Sequence, residues 1–183
     1  MLRRRRPPDD PLAQIDLTVL SPRFAPAVAA ALESRRRFAE VVGGVEDGPT
    51  RTTLVDVGAR LDAGVAAVWQ TARRATAVER TVDALDPSRV ADDHKRARRS
   101  GTDPALEAAL AQRFASVQRL LNTLDDTDGR LRLLDARLGA AVAGAAEVAL
   151  GAGGPDGAAT LGAELDSVVT ELDTLRTALD ELG

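Results

Sequence analysis

Few side chains in this 183-residue chain could do chemistry, and their spacing narrows the choice further. There is no cysteine, which excludes disulfides, thiolate nucleophiles and Cys-ligated zinc together. There is no tyrosine and a single histidine, His94, embedded in SRVADDHKRARRSG. A lone histidine among charges has no converging partner for acid–base work or metal binding, so a solvated side chain is expected there. Di-metal sites in helical bundles draw on Glu and Glu-x-x-His pairs, and the chain has no such pair. Asp125-Asp126-Thr127-Asp128-Gly129 offers carboxylates for calcium, but with Gly129 in the sixth place of an EF-hand loop the first place is Leu124 and the twelfth Asp135. No glycine-rich phosphate loop or nucleophile elbow is present either. The expectation is therefore no catalytic residue, no metal site, no cofactor and no small-molecule substrate.

What remains is charge. Arg3, Arg4, Arg5 and Arg6 form one basic run, and Arg89, Lys95, Arg96, Arg98 and Arg99 form a second that outweighs Asp92 and Asp93 by three. Such clusters suit phosphates, on nucleic acid or on an anionic membrane surface. Against that stand the net charge of −4, the lack of a recognisable DNA or RNA motif, and the absence of aromatics between the basic residues for base stacking. Arg35-Arg36-Arg37 points three ways around a helix and reads as a solvated face. The bias of 23 arginines to one lysine, with 34 alanines, is that of a GC-rich bacterial genome. Pro7-Pro8-Asp9-Asp10 follows the first arginines where a secretory leader needs an apolar core, so the expected location is the cytoplasm. Trp69 has two readings, a core anchor at the widest part of a bundle or a hot spot for a partner.

The elements that position these residues are helices. Apolar residues make up 44% of the chain but aromatics only 2%, which suits thin Leu/Val/Ala seams better than a thick core or a large ligand pocket. From Asp103 to Leu150, Leu110, Phe114, Val117, Leu121, Leu124, Leu131, Leu138, Val142, Ala145 and Ala149 keep a three-four step. Asp103-Pro104 marks the start, and GAGGPDG at 151–157 the end. Asp128-Gly129 is turn chemistry, yet Leu124, Leu131 and Leu138 stay seven apart across it, which favours one continuous helix. Such a helix spans about 70 Å at ~1.5 Å per residue and needs partners along its length.

Further stripes predict helices near 22–43, 50–85 and 157–182, with 86–103 a polar connector, or a short exposed helix, and 1–20 a flexible basic tail before one domain, 21–183. The last helix has the cleanest seam, Leu161, Leu165, Val168, Leu172, Leu175, Leu179 and Leu182. Gly58 and Gly64, inside the second helix, are expected where a neighbouring backbone comes close. The predicted fold is thus all-α, an elongated antiparallel helical bundle or coiled coil of about four helices, the last three forming the bundle. A second apolar edge on the long helix at Leu120, Leu134, Ala141 and Val148 suggests surplus apolar surface, and with it a homo-oligomer or another helical protein as partner. The expected function is a non-enzymatic structural or adaptor protein acting through protein–protein contacts. The alternative is a polyanion binder using Arg3–Arg6 and the Arg89–Arg99 segment.

Overall fold

The computed structural model describes residues 11–101, 103–152 and 156–181, so the expected contacts of Arg3, Arg4, Arg5 and Arg6 lie outside the described residues. Among those described, there are five α-helices and no strand: α1 (Ala25–Gly43), α2 (Pro49–Ala84), α3 (Pro87–Arg99), α4 (Pro104–Ala149) and α5 (Gly157–Asp180). The fold is the helical bundle read from the sequence, with one helix more than expected.

Helix starts follow capping chemistry. Proline occupies one of the first two positions of α1, α2, α3 and α4, where a missing N–H leaves nothing unsatisfied. The Asp103 carboxylate accepts from the Ala105 amide at 2.9 Å, and the Asp86 carboxylate from the Arg89 amide at 3.1 Å. Gly151 takes a left-handed φ of 72° just beyond α4, in the place where glycine commonly ends a helix.

α4 runs unbroken over 46 residues, about 69 Å at the usual rise. Leu124, Thr127, Leu131, Leu134 and Leu138 are buried, so the phase of the stripe carries through Asp128-Gly129. The acidic residues there serve as ion-pair partners: Asp125 meets Arg23, just before α1, at 2.5 Å, Asp126 meets Arg130 at 2.9 Å, and Asp128 meets Arg132 at 2.7 Å. Among the described residues no group of acidic or histidine side chains is arranged to hold a metal ion.

Two triangles of helices share an edge: α1, α2 and α4 pack pairwise, as do α2, α4 and α5. Cross-helix pairs fix the directions. Arg60 with Asp166 and Arg74 with Asp180 advance together, so α2 and α5 are parallel. Arg35 with Asp62 and Phe38 beside Gly58 make α1 antiparallel to α2, and Arg137 with Glu171 and Gly144 beside Leu161 make α5 antiparallel to α4. Leu54, Leu61, Val65, Val68, Leu131, Leu138, Leu165 and Leu172 fill the common core, all essentially inaccessible. Six buried seam residues hold α5, from Leu161 to Leu179, each contributing roughly 1.5–3 kcal/mol over the exposed state. Its C-terminus is also held, because the Arg74 guanidinium donates to the carbonyls of Leu179 and Asp180.

Four expectations need correction. Segment 11–20 forms two 3-10 turns, Pro11–Gln14 and Leu17–Val19, with Leu12 and Leu20 buried in the main core. It extends the α1 column along α2, tied by Arg80 donating to the Val19 carbonyl and by the Ser21 amide donating to Thr76. The polar connector is helix α3, because Val90 and Ala97, seven apart, give it a narrow buried face. α1 belongs to the bundle along with the last three predicted helices. At Gly64 an added Cβ would stand 3.6 Å from Leu138, an ordinary contact, so no backbone approach requires that glycine; at Gly58 the Phe38 ring lies 3.1 Å away.

Candidate interaction surfaces

The basic segment is built on a two-helix hairpin. α3 packs on α4, and its buried residues Val90 and Ala97, with Val117 of α4, stand outside the main core cluster. The bundle stops where this hairpin begins. Arg23, just before α1, pairs with Asp125, and Leu175 and Ala178 near the end of α5 line a shallow groove with Asn122 and Thr123. Residues 104–117 of α4, about 21 Å of helix, contribute nothing to the main core cluster, which Leu120 and Leu121 flank and Leu124 joins.

The break between α2 and α3 is local. Asp86 adopts a left-handed backbone, φ 51°, the one non-glycine residue to do so among those described, and its side chain caps α3. Aspartate tolerates this conformation better than most residues, and Pro87 then starts the next helix. His94 is not the solvated side chain expected. Its ring stacks on Phe114 of α4 with centroids 4.9 Å apart and 12° between planes, and its Nδ1 is buried with no hydrogen-bond partner among the described residues. The sequence missed this because Phe114 is twenty residues away and on another helix.

The outer surface of α3 is basic. Arg96 pairs weakly with Asp93 at 3.3 Å and Lys95 with Asp92 at 4.0 Å, both within the helix. Arg89, Arg98 and Arg99 have no ion-pair partner among the described residues. Arg96, Arg98 and Arg99 occupy the last turn of α3, where cations offset the negative end of the helix dipole. A short step along the hairpin, Leu106 of α4 is 49% exposed. Leu106 stands four residues before Leu110, one step back along the same stripe, at the end of α4 where α3 does not cover it.

The other candidate residues are distributed elsewhere. Trp69 is half-buried against the main core, with the Arg73 guanidinium 5.6 Å from its ring centroid. It lines a cleft of about 370 Å³ with Gln14, Asp16 and Arg80, under the segment that precedes α1. Trp69 and the α3 arginines are therefore not brought together: one lies beside α2 under residues 11–20, the others on the hairpin. Arg35, expected in solvent, is half-buried and pairs with Asp62 at 2.7 Å across the α1–α2 contact. Arg36 and Arg37 are exposed and converge on Glu33, and their hydrogen bonds bring its carboxyl down to about 2. An open groove of about 670 Å³ runs between α1 and α2, with Leu32, Val42, Val55 and Ala59 among its apolar walls and Arg35, Arg36 and Arg51 at its edge. Each of those arginines already holds a carboxylate.

The second apolar edge of α4 is largely covered. Leu134 and Ala141 are buried, while Leu120 and Val148 are half-buried against the core. Large apolar side chains at the surface lie instead at Val55, Leu106, Leu133 and Leu150, the last 84% exposed. No helix among the described residues is long and apolar enough to cross a membrane. No protein-family model, curated protein or solved structure matches the chain.

Proposed function

We propose that the chain is a cytoplasmic, bacterial coiled-coil protein with a structural or adaptor role, acting without catalysis through contacts with other helices. The observation that carries this reading is the hairpin. A two-helix pair of α3 and α4 buries little beyond Val90, Ala97 and Val117 and leaves Leu106 half in water. Helices of this length gain little order by themselves and are completed by packing against further helices. Leu106 on α4 supplies such a surface, whereas the groove between α1 and α2 is edged by arginines that already hold carboxylates.

The test is light scattering coupled to size exclusion on the full chain, followed by recovery of bound protein from native cells. Self-association or one recurrent helical partner is the expected result. A strict monomer that recovers none would overturn the reading.

A second reading, polyanion binding, is favoured by Arg89, Arg98 and Arg99 standing unpaired on one exposed helix. Full-length protein would then bind duplex DNA or anionic vesicles at low salt and release them as salt rises, with deletion of residues 2–6 lowering affinity. Absence of binding to both at low salt would eliminate it.

A further inference from the structure

We propose that a second copy of this chain completes the hairpin: in an antiparallel dimer the basic outer face of α3 lies along the acidic outer face of the partner's α5. This rests on the reading that the chain works through protein contacts, and it commits that reading to one partner.

The charges on α5 fall into two sets. Asp166, Glu171 and Asp180 are engaged by Arg60, Arg137 and Arg74 and hold α5 on the bundle. Asp156, Glu164 and Glu181 are exposed and have no ion-pair partner among the described residues. On α3, Arg89, Arg98 and Arg99 are the matching cations without partners. A chain of net charge −4 thus carries a basic and an acidic helix, each with charge left over after internal pairing. Opposite surfaces of this kind steer association and fix its register.

Shape agrees with charge. The exposed face of α5 carries Ala159, Ala163, Thr170, Thr174 and Thr177, small side chains that let another helix come close. α5 ends at the level of Asn122 and Thr123, the level at which the hairpin leaves the bundle. A two-fold axis close to that level brings each hairpin, about 21 Å long, beside the partner's α5, about 36 Å long. The same pair of surfaces then meets twice, as closed two-fold symmetry requires.

The experiment uses the full chain at low ionic strength. Light scattering is expected to give twice the 19.2 kDa chain mass, falling toward the monomer as salt rises. The double variant Arg98→Glu/Arg99→Glu is expected to run as a monomer with unchanged circular dichroism. Mixing it with Glu164→Arg/Glu181→Arg is expected to restore a dimer, now of unlike chains.

Lys95 is the only lysine, so the wild-type protein offers an independent readout should a variant fail to fold. In a mixture of isotopically light and heavy chains, a carbodiimide is expected to join Lys95 of one chain to α5 carboxylates of the other. A wild-type dimer untouched by the arginine reversals, or Lys95 linked to α5 only within its own chain, would overturn the proposal. So would a wild-type monomer: if it still recovers another helical protein, the protein-contact reading survives, and if it recovers none, both fail.

Discussion

At the scale of single residues, glycines and carboxylates decide stability through what surrounds them and not through their type. Gly64 has room for a methyl, with Leu138 and Val168 at 3.6 and 3.9 Å from the added Cβ, whereas at Gly144 the Cβ would lie 2.6 Å from Leu161. Gly64→Ala is expected to stabilise by up to about 1 kcal/mol through helix propensity. Gly144→Ala is expected to lose that gain to displacement of Leu161, and paired thermal melts check the difference in sign. The two positions look alike in the sequence, because the neighbour that separates them sits on another helix. Glu33 carries a pH dependence of definite sign. Its folded carboxyl titrates near 2 against an ordinary 4.5, so its contribution is present above 4.5 and disappears as pH falls from 4.5 through 2. The melting-temperature difference between wild type and Glu33→Gln is expected to be visible at neutral pH and to vanish near pH 2. A difference that persists unchanged at pH 2 would show that the arginine contacts are not its cause.

At the scale of elements, what the sequence disclosed depended on how wide a buried face each helix has. α4 and α5 have long leucine stripes, and their bounds at Pro104–Ala149 and Gly157–Asp180 fall within two residues of those predicted. The Asp128-Gly129 turn signal was overridden because Gly129 faces open space and costs a helix only about 1 kcal/mol, less than a broken seam would. α3 was legible only as the alternative of a short exposed helix, because its buried face consists of Val90 and Ala97 and an alanine adds little to an apolar count. Segment 11–20 was hidden because 3-10 turns have no long period; Asp16, accepting from the Thr18 amide and hydroxyl, supplies the local cap. Leu172 is fully buried in the seam of α5. Leu172→Asp is therefore expected to cost several kcal/mol by placing a carboxylate in an apolar seam. An unchanged melting temperature would mean that α5 is not docked.

At the scale of the whole molecule, two tiers of packing emerge. The first is the bundle, where α2 and α4 form a shared spine flanked by α1 and α5. The second is the hairpin, where α3 meets α4 and the buried set shrinks to Val90, Ala97 and Val117 plus the His94–Phe114 stack. Of the candidate residues, Arg96, Arg98 and Arg99 could be placed on one exposed surface from the sequence alone, since they are close in the chain. The seat of Trp69 under residues 11–20, and the ending of α1 and α5 at one level of α4, depend on tertiary contacts that no spacing encodes. Tiers of unequal packing imply unequal protection, because amides in thin packing exchange through local opening. Hydrogen exchange read by mass spectrometry on the full chain, at low and high protein concentration, tests this most directly. Residues 87–117 are expected to exchange much faster than 124–149 in dilute solution and to slow selectively as the chain associates. Equal protection of the two segments of α4, with no change on concentration, would contradict the two-tier structure and the role assigned to the hairpin.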